Sequence, residues 1–400
     1  MRPKSGYRWG MAAPTLVEDT ALGYSGGPGI SDNLLIKGDN LQVLRALHSN
    51  HAGQVKCIYI DPPYNTGGAF AHYGDNRAHG AWLAFMRERL EAMRPLLRRD
   101  GILFVQIDDA EGAYLKVMAD EVFGRANYIG QFVWERKKKP SFLDANLASV
   151  TETILAYSPD RRFAPPFVGG LTTRGKKYPL NNAGNPVATL IFPAGSVRFG
   201  CGDGVIPASD MSGGNIVAEL LDSVEVAGGT NAGAFRLRGE WRYAQRKLDA
   251  LLAAGELITI SKAPFRPNHV KAGGEAKTLK NLLSIAHYAV GTYEDSAAES
   301  EALFGRDAFD YPKPEGLIQL LLGAVTGPGD LVLDAFAGSG TTGAVAHKMG
   351  RRWIMVEVGD HAETHVAPRL RKVIDGRDPG GVTAETGWSG GGGFRFYRAA

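Results

Sequence analysis

The sequence predicts an α/β protein whose open, mainly parallel sheet is assembled from both ends of the chain, with a separate insertion between them. Three observations carry this. Short apolar runs of strand type end at an acid: Cys57-Ile58-Tyr59-Ile60 at Asp61, Ile102 to Ile107 at Asp108, and Leu331-Val332-Leu333 at Asp334. These runs lack polar alternation, as strands buried on both faces do. From residue 161 the charge comes in blocks, with six Lys and Arg and no acid over 161–200, five acids and no base over 201–234, and ten bases against four acids over 235–280.

Four hundred residues with 44% apolar content suffice for one large core or two ordinary ones. A net charge of +3 permits a nucleic-acid partner without requiring one, so the distribution of charge must decide. Cys57 and Cys201 alone form neither a disulfide framework nor a metal set, which suits a reducing cytoplasm and no metal. No apolar stretch approaches the roughly 18 residues of a membrane span, and Met1 to Gly6 lacks the apolar core of a signal peptide. A soluble, cytoplasmic protein without a membrane partner is expected.

Residues 1–30 mix Gly, Pro and Ser without a sustained period and read as an arm. Leu34-Leu35-Ile36 is a short strand reaching Asp39, and Asn40 opens a helix with Leu41, Leu44 and Leu47 on one face. Asp39 thus stands where open α/β sheets bind ligands, and equally where a helix takes its N-cap. After Asp61 the Gly-rich stretch from Gly67 to Gly80 reads as a mobile loop. A helix follows from Trp82 to Arg99, its Trp82, Phe85, Met86, Leu90, Met93 and Leu97 at core spacing. Arg136-Lys137-Lys138-Lys139 lies between the strands Ile129 to Trp134 and Thr153 to Tyr157, so this basic run projects from an end of the sheet.

The corner at Asp61-Pro62-Pro63-Tyr64 carries the clearest chemistry. Two prolines lack N–H donors and fix φ, so the strand stops there in a stiff, extended backbone. Asp61 offers a carboxylate, Pro62 a carbonyl outside any ladder, and Tyr64 a flat ring. Together they suit methylation of an exocyclic amine on a nucleobase, whose lone pair is delocalised into the ring. A carboxylate and a carbonyl that each accept one N–H localise that lone pair, and an aromatic face adds stacking of roughly 1–3 kcal/mol. Asp61 need not deprotonate the neutral amine, because the proton becomes acidic only once the nitrogen is cationic.

Gly329 to Thr342 reads as strand, glycine loop and helix, with Asp334, Phe336, Ala337, Gly338, Ser339, Gly340, Thr341 and Thr342 at the turn. The glycines allow close approach of a ligand. Glu357 ends the next strand, where a carboxylate serves a ribose diol of NAD or of S-adenosylmethionine alike. There is no Gly-Lys-Ser/Thr, which disfavours a phosphate loop. If the strands ending at Asp61 and Asp334 share one parallel sheet, their carboxyl ends share one crevice.

Asp61-Pro62-Pro63-Tyr64-Asn65-Thr66-Gly67 resembles motif IV of amino-methylating DNA methyltransferases of the β class, and specifically the modification subunits of type III restriction-modification systems. Further matches are Gly38-Asp39-Asn40-Leu41, Phe309-Asp310-Tyr311-Pro312-Lys313-Pro314 as motif X, Gly239-Glu240-Trp241-Arg242-Tyr243, and Gly390 to Tyr397, so the likeness runs from about 33 to 398. It implies a Rossmann-like S-adenosylmethionine-dependent methyltransferase sheet with catalytic residues Asp61, Pro62, Pro63 and Tyr64. S-adenosylmethionine would be held by Asp39, Lys313, Asp334, Glu357 and the loop Phe336 to Thr342. The implied organisation is an arm (1–30), a catalytic half (31–160), a target-recognition insertion (161–305) and a cofactor half (306–400).

The resemblance further implies N6 of adenine as target in double-stranded DNA with one base flipped out, approached by Arg136 to Lys139 and, within the insertion, by Lys176 and Lys177. The Asp at 61 and Asn65-Thr66-Gly67 favour adenine, whereas enzymes of cytosine N4 more often resemble a serine version of the corner. A homodimer and a restriction subunit are further partners the family allows, although the chain is shorter than typical subunits. Competing readings are an N4-cytosine enzyme, a protein-amide methyltransferase, in which the glycine loop would come first, a dehydrogenase, and a DNA-binding protein without catalysis, which would not need Asp61.

Overall fold

The computed structural model describes residues 14–29, 31–67, 75–139, 146–305, 309 and 311–400. The first part of the expected arm, most of the Gly-rich loop after Gly67, and Asp310 of the motif X stretch lie outside the described residues. The chain divides into two compact units, one of residues 1–169 and 278–400, the other of residues 170–277.

The first unit holds a twisted sheet. Its elements in chain order are β1 (Asn33–Lys37), α1 (Asn40–His51), β2 (Val55–Ile60), α2 (His79–Met93), β3 (Leu97–Ile107), β4 (Tyr128–Glu135), β5 (Thr151–Tyr157), α3 (Tyr293–Phe304), α4 (Glu315–Val325), β6 (Leu331–Asp334), α5 (Thr341–Lys348), β7 (Arg352–Glu357), α6 (Ala367–Ile374) and β8 (Gly393–Ala399). The eight strands named lie in the order β8-β1-β7-β6-β2-β3-β5-β4, with the short strands Leu16–Glu18 and Tyr24–Ser25 beside β8 and Leu282–Leu283 beside β4. Pairing is parallel from β8 to β3 and antiparallel at β5 and β4. From β6 the chain steps through α5 to β7 on one side, and from β2 through α2 to β3 on the other. The strand order therefore reverses between β6 and β2, the place where open α/β sheets form their ligand crevice.

Alternate side chains of the central strands feed two apolar layers. Cys57, Tyr59, Val332, Trp353 and Met355 pack with α4, α5 and α6, while Ile58, Ile60, Leu333, Ile354 and Val356 pack with α1 and α2. Burial on both faces is why these strands read as continuous apolar runs. The helix expected from Trp82 to Arg99 ends at Met93 and passes through a single 3₁₀ turn, Arg94–Leu96, into a strand that already starts at Leu97. Pro95 has no N–H to continue the helical ladder, and an apolar period cannot register that loss.

The second unit is antiparallel for the most part. Val187–Phe192, Phe235–Glu240, Ala218–Leu220 and Ser209–Asp210 make a four-stranded sheet, and a seven-stranded sheet runs from Gly204–Ile206 to Lys177–Pro179. Its core is aromatic, with Phe192, Phe199, Phe235, Trp241 and Phe265 buried together. It begins and ends inside the 161–305 that the resemblance implies, and its end at 277 lies close to 280, where the charge blocks stop. Residues 278–305 belong to the sheet unit because Leu279, Leu283, Val290 and Tyr293 join its core. The acidic and basic blocks meet across neighbouring strands, where Glu219 pairs with Arg238 at 2.9 Å, and just past the strand end, where Asp222 pairs with Arg236 at 2.7 Å. No helix among the described residues is long and apolar enough to cross a membrane.

Candidate active site

A cavity of about 490 Å³ opens at the carboxyl ends of β2 and β6 and is lined from both, by Asp61 to Tyr64 on one side and by Asp334 to Ser339, Thr341, Thr342 and Glu357 on the other. On the β2 side, the Pro63 carbonyl accepts the indole N–H of Trp82 at 2.8 Å. Among the described residues no donor takes the Pro62 carbonyl. Beyond Tyr64, Asp75 returns to fasten the chain, its carboxylate accepting the N–H groups of Asn65 (2.6 Å) and Thr66 (2.9 Å).

Asp61 is held between a phenol and an ammonium. The Tyr64 hydroxyl lies 2.7 Å from Asp61 Oδ1, and Lys313 Nζ lies 2.5 Å from Oδ2. The same Tyr64 hydroxyl is 2.9 Å from Glu152 Oε2, so one phenolic proton faces two carboxylates. Glu152, with a side chain 0% exposed, also accepts from Gln106 Nε2 (2.6 Å), the Tyr293 hydroxyl (2.7 Å) and Arg136 (3.2 Å). Its acceptor positions are thereby filled. Burial pushes the Asp61 carboxyl above its ordinary value; the Lys313 ammonium opposes the rise and Glu152 adds to it.

Glu152 and Tyr293 were not anticipated. Glu152 did leave a signal, since it shares strand parity with Ile154 and Ala156, which face the core, and a carboxylate at an apolar position of a strand needs partners. Tyr293 begins a helix far along the chain and has no local signature.

The β6 side is shaped by backbone. Gly340 adopts φ +79°, and its N–H reaches Ala337 O at 2.7 Å, which closes a tight turn at the start of α5. A Cβ there would stand 2.8 Å from Val366 Cγ1. Glu357 Oε2 accepts the Gly338 N–H at 2.8 Å, while Oε1 accepts those of Val358 and Gly359 and faces His361 at 3.1 Å. Burial opposes ionisation of Glu357, yet His361 and these N–H groups hold its carboxyl below the ordinary value. Asp334 goes the other way. Burial pushes its carboxyl up to about 7 against hydrogen bonds from Thr342 and the Phe336 N–H, with Asp61 and Glu357 adding to the rise.

Asp39 is the N-cap of α1, its Oδ1 accepting the Gln42 N–H at 3.1 Å, and its Oδ2 pairs with Arg89 at 2.9 Å. It also lines the cavity, next to Phe85, whose ring carries the Arg89 guanidinium at 3.5 Å. Ser339 and Thr341 lie 3.0 Å apart, and Thr341 accepts from Arg369.

Several of the charged residues singled out in the sequence have partners within the protein. Lys313, grouped with the glycine loop, lines the same cavity, and its Nζ contacts Asp61. Arg136, grouped with nucleic-acid contacts, pairs with Glu152, and Lys138 pairs with Asp295 at 2.5 Å. Lys137 lines the cavity, and Lys139 is exposed. Lys176 and Lys177 are exposed in the second unit, Lys176 lying 5.6 Å from the Tyr178 ring centroid.

Residues 55–367 match the family model described as DNA methylase. The chain is 30% identical over 419 residues to the probable type III restriction-modification enzyme HindVI Mod subunit of Haemophilus influenzae, covering 92% of this chain and 54% of that one. It is 31% identical over 354 residues to the StyLTI Mod subunit of Salmonella typhimurium, covering 78% and 49%. Thus it spans about half the length of these curated relatives. Against the type II methyltransferase M.KpnI of Klebsiella pneumoniae it is 27% identical over 379 residues, with 84% of each chain covered. A match that takes in β2 with its Asp61 corner, β6 with its glycine loop, and everything between them places the chain in the DNA methylase family.

Proposed function

We propose that this chain transfers a methyl group from S-adenosylmethionine to the N6 amine of adenine in a specific sequence of double-stranded DNA. The observation that carries the proposal is the single cavity shared by two adjacent strand ends, one offering acceptors for an amine and the other a glycine turn.

The cavity suits a cationic cofactor. Asp334 and Glu357 border it, and Asp334 is reluctant to ionise in the absence of a neighbouring cation. Asp334, Glu357, Asp39 and the loop from Phe336 to Thr342 would hold S-adenosylmethionine. Glu357 keeps one acceptor position on Oε2, enough for one ribose hydroxyl. Bound there, the cofactor supplies a methyl carbon on a sulfonium sulfur, which leaves as a neutral thioether with the electron pair of the broken carbon–sulfur bond.

The residues of this chain do the rest. Asp61 and the Pro62 carbonyl accept the two N–H groups of a flipped-out adenine and localise its lone pair, while Tyr64 offers a ring face. The amine nitrogen bonds to the methyl carbon, becomes cationic, and passes its proton to the Asp61 carboxylate and on to water. Lys137, Lys139, Lys176 and Lys177 would contact phosphates, which give affinity and register without reading sequence. The HindVI and StyLTI relatives, Mod subunits of type III restriction-modification enzymes, support a restriction subunit as partner.

The test is mass spectrometry of nucleosides from DNA of a host lacking methylation that expresses the chain. N6-methyladenine is expected. N4-methylcytosine alone would overturn the base assignment and keep the mechanism; neither product would overturn the reading.

A further inference from the structure

We propose that Lys313 is the dedicated counter-ion of Asp61, keeping its carboxylate charged and accepting while a base is bound, and that it is not a ligand of the cofactor. This rests on the reading of Asp61 as acceptor of the target amine. The geometry is specific. Lys313 lies between Pro312 and Pro314, its side chain is only 7% exposed, and its Nζ stands 2.5 Å from Asp61 Oδ2. That nitrogen is also 5.3 Å from the Tyr64 ring centroid and 5.1 Å from that of Tyr293, so two aromatic rings flank the ammonium.

The need for such an ion follows from what surrounds Asp61. On β2 itself stands Tyr59; beyond the corner stands Tyr64; β5 brings Glu152, β6 brings Asp334, and α3 brings Tyr293. Asp108 also borders the cavity. Against these three neutral phenols and three further carboxylates stand two cations bonded within the group, Arg136 and Lys313. Arg136 is committed to Glu152 at 3.2 Å, and among the described residues only Lys313 forms an ion pair with Asp61. The single proton of Tyr64 cannot serve Asp61 and Glu152 together.

Without Lys313, burial and the neighbouring carboxylates would act on Asp61 unopposed, and it would take up a proton at higher pH. A protonated Asp61 presents a donor where the amine needs an acceptor. Lys313 leaves a second acceptor position on the same carboxylate, so it need not withdraw when the base arrives. After transfer it favours return of the amine's proton to water, because it stabilises the ionised form.

The experiment compares Lys313→Met and Lys313→Arg with the parent chain, following transfer of labelled methyl from S-adenosylmethionine to unmethylated DNA across pH, together with cofactor affinity by calorimetry. In Lys313→Met the acid limb of the rate profile should move upward by about one pH unit or more, the usual effect of losing an adjacent opposite charge, with cofactor affinity retained. Lys313→Arg should restore the parent profile. A loss of cofactor affinity with the profile unmoved would overturn the proposal in favour of a cofactor ligand, and no change in either would reduce the pair to an incidental contact. If Lys313→Met fails to fold, Lys313→Gln removes the charge and keeps a donor. The Asp61 carboxyl, followed by carbon-13 resonance and assigned with Asp61→Asn, should titrate higher in the neutral variants. That readout holds even if the parent transfers no methyl to DNA, so failure of the methylation reading and failure of the counter-ion remain distinct.

Discussion

Two strand ends lie side by side in this sheet, and they are fixed in opposite ways. At the end of β6 the turn is made by neighbours in sequence: Gly340 closes back on Ala337, and Glu357 reaches across one strand to the Gly338 N–H. At the end of β2 the carboxylate is fixed by side chains from three distant segments, Lys313, Glu152 through Tyr64, and Tyr293 through Glu152. A ligand cradled by backbone needs glycines and a tight turn. A group that must stay charged in a buried place needs ions and hydroxyls, and a fold recruits those from wherever its chain passes.

Removing the acceptor should break this contrast most severely. Asp61→Ala is expected to lower kcat by about 10² to 10³-fold, the scale of losing one aimed electrostatic partner. S-adenosylmethionine affinity, measured by calorimetry, should stay within about twofold, since ground-state binding of the cofactor does not use Asp61. Equal loss of affinity would merge the two strand ends into one cofactor site.

Gly340→Val probes the other end. Its φ of +79° and the 2.8 Å approach to Val366 leave no relaxed place for a branched side chain, a strain on the order of 1–3 kcal/mol. Cofactor affinity should fall about tenfold while kcat at saturating cofactor holds. A fall in kcat with affinity intact would reverse the assignment.

The same division explains what the sequence disclosed. The Asp61 corner, the glycine loop and the apolar strand runs are local, because each is dictated by consecutive residues with fixed φ or unbroken burial. The surroundings of Asp61 were only partly legible, because the resemblance marked Lys313 without its partner and Tyr293 is an ordinary residue until the fold brings it within hydrogen-bond reach of Glu152. Glu152 and Arg89 are intermediate cases. Each is a charged residue on a buried face, Arg89 in register with Trp82 and Met86, and such a misfit marks a buried pair without naming its partner. The insertion implied to reach 305 stops at 277, close to where the charge blocks end, because the segment that follows buries Leu283, Val290 and Tyr293 in the main core.

Asp334 offers a subtler test through pH. Its carboxyl is pushed up to about 7, so the ligand-free chain holds a proton that an unfolded chain releases near pH 4. Ligand-free stability should therefore fall as pH rises from about 4 to about 7 and then level off. A cationic cofactor requires the ionised form, so its affinity should rise over the upper part of that range and be about tenfold weaker at pH 6 than at pH 8. Asp334→Asn should flatten the dependence; a flat profile in the parent would mean that the cofactor's charge is met elsewhere.

The smallest effect belongs to the second unit, where the comparison turns from buried charge to exposed charge. Lys176 and Lys177 stand in solvent, and Lys176 shares the Tyr178 ring with Lys271, each ammonium 5.6 Å from its centroid. Lys271 is paired with Glu275, so it is less available to a phosphate than its neighbours. Nothing buried depends on Lys176 or Lys177, so Lys176→Ala with Lys177→Ala should leave the thermal midpoint unchanged. If both hold phosphates, binding to all DNA sequences should weaken alike, and the slope of log affinity against log salt should become shallower by about 0.9 for each phosphate no longer neutralised. A loss confined to one sequence would mean that these lysines read bases, since phosphate contacts carry no sequence information. An unchanged slope would leave them as solvated charge and move the phosphate contacts toward the sheet unit, to Lys137, which lines the cavity, and the exposed Lys139.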